Sequence, residues 1–208
     1  MISGNRPLLP KPELKAWVRR HAGILALGLG CLAPAWAQPW TPSTLMQALA
    51  THKSAKATFV ERKYLAVLDQ PVESRGELSF TAPDRLEKRT LSPRPESLVL
   101  QGDTLTVDDA NKRRMTLSLN SSPEAAAFVE SIRGTLAGDL AALQKYYSLE
   151  LNGSEARWKL LLVPQQARMA KLVSRIRMEG SGTSVRLIVF EQADGDRSEM
   201  QITPVPNP

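Results

Sequence analysis

The chain has 208 residues, 42% of them hydrophobic and 5% aromatic, with 27 Lys and Arg against 21 Asp and Glu, which is enough apolar material for one core. No tandem repeat runs through it, so solenoids and propellers are excluded. The excess positive charge sits at the start: Arg6, Lys11, Lys15, Arg19 and Arg20, with the single acid Glu13, lie in the first 37 residues and leave 22 basic against 20 acidic residues after them, so nucleic-acid binding loses its main support.

The first element is a leader. Lys15, Arg19 and Arg20 precede an apolar run from Gly23 to Pro34 that ends in Ala35-Trp36-Ala37. A charged start, an apolar stretch too short to span a membrane and a small-x-small site predict a secretory signal peptide over residues 1–37, cleaved after Ala37. An N-terminal membrane anchor is the alternative, and the placement of the cleavage site weighs against it. The only cysteine, Cys31, lies in the leader, and Gly28 stands three positions earlier where a lipoprotein signal needs a leucine-like residue. Lipidation at Cys31 therefore ranks second. The expected mature domain, 38–208, has no cysteine and hence no disulfide, thiolate metal site or cysteine nucleophile.

The mature chain opens with a helix. Thr41 suits the cap and Pro42 the first turn, with Leu45, Met46 and Leu49 on one face and an end near His52. No second histidine remains to build a metal site with His52, which is expected at a solvent-facing helix end. Strands follow: Ala57 to Leu68, then Val72 to Phe80 after the Asp69-Gln70-Pro71 turn, with Val72, Ser74, Gly76, Leu78 and Phe80 on the dry face. Thr81 to Asp84 turns into Arg85 to Leu91. Glu96 to Gln101 and Thr104 to Asp108 make a tight hairpin through Gly102-Asp103, and Arg113 to Leu119 adds another strand.

Helical spacing then returns. Ser122 caps and Pro123 starts a helix to about Arg133, with Ala126, Ala127, Phe128, Ile132 and Leu136 on its apolar side. Gly134 and Gly138 are expected to interrupt it, each costing about 1 kcal/mol relative to alanine, and Asp139 caps a second turn carrying Leu140, Leu143 and Tyr146. Five more strands complete the pattern: Tyr147 to Leu151, Arg157 to Val163, Ala170 to Met178, Ser184 to Glu191 and Glu199 to Pro204. Trp158, Leu160 and Leu162 share a dry face. Lys171, Arg175 and Arg177 face the other way from Leu172, Ser174, Ile176 and Met178 and read, with Arg186, as a solvated sheet face.

Catalytic patterns do not emerge. The chain has no Gly-x-Ser-x-Gly, phosphate loop, paired histidine ligands or dinucleotide fingerprint, so neither an enzyme nor a cofactor is expected. Asp108-Asp109 and Asp194-x-Asp196 sit where turns are expected and match no EF-hand register. Asn120-Ser121-Ser122 is a sequon in form only.

The ordered set Ala57-x-Phe59-x-Glu61, Gly76-x-Leu78-x-Phe80-x-x-Pro83-x-x-Leu86 and Ser97-Leu98-Val99-Leu100 followed by Gly102 and Leu105 resembles the LolA family of periplasmic outer-membrane lipoprotein carriers. The match spans about half the mature chain. The resemblance implies an α+β fold: an incomplete, strongly curved antiparallel β half-barrel with a helical lid over its concave apolar face. It implies a cavity lined by Phe59, Leu78 and Phe80, by Leu86 and Lys88, by Leu98, Leu100 and Leu105, by Phe128, Ile132 and Leu136 of the lid, and by Trp158 and Leu160. The implied role is a periplasmic monomer that binds acyl chains of a lipoprotein or other acylated lipid and touches membranes transiently. A releasing complex at the inner membrane and an acceptor at the outer membrane are the implied partners. Nucleic acid is not. The alternative it leaves open is a periplasmic lipid or lipoprotein sensor of the RseB type, although that family carries a further C-terminal domain for which the chain looks too short.

Three positions depart from the family pattern. Ala82 stands where carriers have an arginine that holds the lid closed, Leu86-Glu87-Lys88 replaces aromatic residues, and the C-terminal extension is expected to be missing after Pro204-Val205-Pro206. In these respects the chain is similar to the divergent branch that accompanies biosynthesis of aryl polyenes and other acylated lipids. Lys88 shares a strand face with Leu86, so a cavity-facing lysine that meets a head group is a further expectation.

Overall fold

A computed structural model describes residues 40–111 and 113–206. The leader, its cleavage site and Cys31 lie outside the described residues. Helix α1, Pro42–Leu49, forms where expected: the Thr44 amide donates to Thr41 Oγ1 and the Thr41 amide to Thr44 Oγ1 at 2.7 Å, a closed capping box. It stops at Leu49 rather than His52, and the Thr51 hydroxyl donates to the freed Ala48 carbonyl. Leu45, Met46 and Leu49 are fully buried, each contributing about 1.5–3 kcal/mol.

Eleven strands form one open antiparallel sheet. The first run is β1 Ser54–Tyr64, β2 Val72–Thr81, β3 Arg85–Ser92, β4 Glu96–Gln101, β5 Thr104–Asp108 and β6 Arg114–Ser118. The second is β7 Tyr147–Ser154, β8 Arg157–Pro164, β9 Val173–Ser181, β10 Ser184–Gln192 and β11 Arg197–Val205. Each run is a meander of neighbouring hairpins, and β1 pairs with β11 to join them in the order β6-β5-β4-β3-β2-β1-β11-β10-β9-β8-β7. That order leaves β6 and β7 at opposite edges. The chain between them must cross a sheet face, and it does so as a 3-10 turn, Leu119–Ser121, then helices α2, Pro123–Ala137, and α3, Leu140–Gln144.

Two expectations need correction here. Gly134 does not interrupt the helix: α2 runs through it to Ala137, because α3 lays Leu143 so close that a Cβ at Gly134 would sit 3.1 Å from it. Gly138 ends α2 in the left-handed region, φ 70°, where its amide donates to the Thr135 carbonyl at 3.1 Å and the Asp139 amide to the Gly134 carbonyl at 2.8 Å. Ala170, expected to open a strand, instead ends the short helix α4, Ala167–Ala170, which buries Met169 and delays β9 to Val173. Leu172 therefore precedes the strand and is half-exposed rather than on its dry face. Arg175 and Arg177 do point away from the buried Ile176 and Met178.

The filled core lies under the second meander. Leu45, Met46 and Leu49 of α1 and Leu143 of α3 cluster with Tyr147, Trp158, Leu160, Leu162, Ile176 and Met178. Trp158 is opposite Gly180 across β8 and β9, and its Nε1 donates to the Gly182 carbonyl at 2.8 Å. The indole reaches so close to the glycine that a Cβ at Gly180 would come within 2.2 Å of Trp158 Cζ2 and 2.3 Å of the Ser184 carbonyl oxygen. Gly180→Ala is expected to cost about 1–3 kcal/mol by overpacking, read as a lower denaturant midpoint at unchanged slope.

Candidate ligand-binding cavity

Strand alternation aims one face of the first meander at α2, and the two enclose a cavity of about 540 Å³, inside the range of about 300–1,000 Å³ usual for ligand sites. Leu78 and Phe80 of β2, Leu86 and Lys88 of β3, Leu98 and Leu100 of β4, and Leu105 of β5 line one side. Register places them together, with Leu86 opposite Leu100, Lys88 opposite Leu98 and Leu100 opposite Leu105. Phe128, Ile132 and Leu136 line it from α2, four residues apart and so on one helix face. Phe128 also packs on Phe190 of β10, centroids 4.7 Å apart.

Phe59, Trp158 and Leu160 lie elsewhere. Trp158 and Leu160 are on the same side of the sheet, but α1 and α3 fill the space above them, and both are 1% exposed or less. Phe59 is 2% exposed, with the Lys88 ammonium over its ring at 5.1 Å. The sequence reading missed the far wall, formed by Val185 and Ile188 of β10 and Met200, Ile202 and Pro204 of β11. Their alternation, Met200-x-Ile202-x-Pro204, was visible in the sequence, but only the β1–β11 pairing, with Phe59 opposite Ile202, brings it beside the first meander. His52, expected to face solvent, is exposed and also reaches the cavity rim, with Nε2 3.4 Å from the Thr183 hydroxyl.

A carboxylate is buried on this same apolar face. Glu61, 5% exposed, accepts from Lys88 Nζ at 2.6 Å, from the Ser198 hydroxyl at 2.6 Å and from Ser74 at 3.5 Å. Burial pushes its carboxyl up, but the charge and hydrogen bond of Lys88, the Ser198 hydrogen bond and Lys63 outweigh this and hold it below its ordinary 4.5. Glu61 is thus an anion that keeps Lys88 in place.

Helix α2 is fastened at both ends of its path. The Tyr147 hydroxyl donates to the Ala127 carbonyl at 2.9 Å, and Arg133 Nη1 donates to the Gly102 carbonyl at 2.6 Å in the β4–β5 turn. Glu130 pairs with Arg133 one turn back, and Asp103 lies 3.9 Å from it. With Ala82 in place of an arginine, the tie between helix and sheet is supplied from the helix side. The turn aspartates are spoken for: Asp108 binds Arg114 at 2.7 Å, Asp109 binds Arg113 at 2.9 Å and Asp196 accepts from the Ala66 amide at 2.8 Å. Among the described residues no group of three or more His, Cys, Asp or Glu sits where it could hold a metal ion, and no helix is long and apolar enough to cross a membrane.

A family model described as outer membrane lipoprotein carrier protein LolA-like matches residues 36–204. The chain belongs to the LolA-like family. Among solved structures, this LolA-like chain is similar to a LolA superfamily protein from Nitrosomonas europaea, at 11% identity and TM-score 0.44 over 82% of this chain and 96% of that one. A DUF1329 family protein from Desulfovibrio piger aligns at 12% identity and TM-score 0.47 over 78% and 88%. A chain of the Pseudomonas aeruginosa MucA/MucB complex aligns at 15% identity and TM-score 0.43 over 80% and 58%. No curated protein matches the chain.

The buried acid makes stability depend on pH. A carboxyl held below its unfolded value stabilises the fold above that value and stops doing so as the pH falls through its folded value. The melting-temperature gap between wild type and Glu61→Gln is therefore expected to be widest near neutrality and to close below pH 4.5. Arg133→Ala removes a charged hydrogen bond of about 1.5–3 kcal/mol, and hydrogen exchange in residues 128–137 is expected to speed up by at least about tenfold while β8 and β9 keep their protection.

Proposed function

We propose that this LolA-like protein is a periplasmic, non-enzymatic carrier that holds the acyl chains of a lipoprotein or other acylated lipid and moves them between the inner and outer membranes. The sheet acts as a half-barrel and α2 as its lid. The observation that carries this reading is the cavity, whose wall is mostly apolar and whose cover is a helix tied to its surroundings by few polar contacts. Burying a chain there gains about 0.8 kcal/mol per methylene. A cargo held that way leaves only if the cover moves at low cost, which a helix tied mainly through Arg133 and Tyr147 permits. The leader delivers the protein to the periplasm, where a donor complex at the inner membrane and an acceptor at the outer membrane load and unload it.

The reading is tested by mass spectrometry of lipid extracted from the protein purified from a bacterial periplasm. Acylated lipid is expected to copurify, and Leu98→Trp, which fills the wall, should lower its amount several-fold, whereas Arg89→Ala on the opposite face of β3 leaves it unchanged. A consistently empty cavity that takes up no added acyl lipid sinks the carrier. An empty cavity together with a stable transmembrane partner in a membrane-extract pull-down would favour the sensor instead.

A further inference from the structure

The cavity ends at a cation that is only partly satisfied. On β3 the inward residues Leu86 and Lys88 line it, and Thr90, the next inward residue, does not. On β1 Ala57 lines it, whereas Phe59 and Glu61 do not; on β2 Leu78 and Phe80 do, whereas Gly76 does not. Lys88 therefore marks the inner end of the apolar space. Its ammonium has three N–H donors. One goes to Glu61, and no other acceptor among the described residues receives a hydrogen bond from it. Glu61 is itself fixed by Ser198 and Ser74, so the ammonium it binds is held where it is.

We infer that Lys88 is a polar subsite for the acyl carbonyl of the cargo, and that Glu61 makes this subsite select esters or amides over free carboxylates. The inference rests on the carrier reading and adds which end of the lipid is recognised. The Lys88 side chain is one-quarter exposed, so its remaining N–H donors are open to a bound oxygen, and a carbonyl supplies one without introducing charge. A carboxylate in the same place would approach Lys88 while lying within a few ångströms of the Glu61 anion. The ion pair is already neutral, so a bound carboxylate would leave the site with a net negative charge, and the nearby Glu61 anion offsets part of its attraction to Lys88. With the carbonyl at Nζ, the hydrocarbon lies against Leu78 and Leu98, the cross-strand neighbours of Lys88. Lys56, the other cation on the cavity wall, is exposed at the rim and has no acid fixed to it.

The test is displacement of the neutral dye Nile red from delipidated protein by methyl palmitate or by palmitate at pH 8, with their ratio of midpoints as the readout. Wild type is expected to favour the ester. Glu61→Gln keeps a hydrogen-bonding partner for Lys88 but removes the competing charge, and should shift the ratio toward palmitate by about tenfold. The double variant Lys88→Met, Glu61→Gln buries no uncompensated charge and should still bind both while losing the shift. Lys56→Ala should leave the wild-type ratio in place. A ratio that stays the same in Glu61→Gln, or that moves with Lys56→Ala instead, overturns the subsite while the carrier stands. Failure of dye and both lipids to bind the wild-type protein overturns the carrier reading, and the subsite with it.

Discussion

The pairing of β1 with β11 is the contact on which the rest of this fold depends. It aligns Lys56 through Tyr64 with Val205 down to Arg197 and joins strands from the two ends of the domain. Every other pairing in the sheet is between neighbours in the chain and can form locally. Without β1 and β11 there are two meanders with separate faces. With them there is one sheet, whose edges β6 and β7 are as far apart as the order allows. The segment between those edges is then forced over a face of the sheet, which is how α2 comes to cover the inward residues of β2 to β5.

The two meanders share one face but not one fate. Over β7 to β10 the side chains of α1 and α3 fill the space, and Tyr147, Trp158 and Leu160 are sealed from solvent. Over β2 to β5 only α2 lies above, and Leu78, Leu86 and Leu98 remain partly uncovered. A protein interior normally packs without voids, so a cavity of about 540 Å³ beside a filled core costs stability that something else offsets. The first meander is made by local hairpins and held to the second by β1–β11, so it needs no filling to persist.

Glu61 and Lys88 stand at the boundary between these regions. A buried ion pair is weak support for stability, since desolvation offsets most of the attraction. Here Lys88 lines the cavity, while Glu61 is buried beside it and accepts from Lys88, Ser198 and Ser74. One guanidinium, that of Arg133, links α2 to the β4–β5 turn through the Gly102 carbonyl and Asp103, so the cover over the cavity depends on few bonds.

Local chemistry was readable from the residues alone. Thr41 and Ser122 as caps, Pro42 and Pro123 as first-turn residues, the Gly102-Asp103 hairpin and the strand alternation all follow from interactions within a few positions, and each stands where expected. The motif order from Ala57 to Leu105 also sufficed to reach the family, and alternation along a meander puts its seven inward residues on one face, while helical spacing groups Phe128, Ile132 and Leu136. What the sequence could not supply depends on distant contacts. Gly134 reads as a helix breaker until Leu143 is seen pressed against it, and Trp158 reads as a cavity residue until α1 is found above it. Glu61 shares a strand face with Phe59, and only the arrival of Lys88 and Ser198 from β3 and β11 shows what partners a carboxylate there. Residue spacing determined which faces are apolar; only the tertiary structure decided which apolar face is filled and which is left open, because that depends on which helix the β1–β11 pairing forces across it.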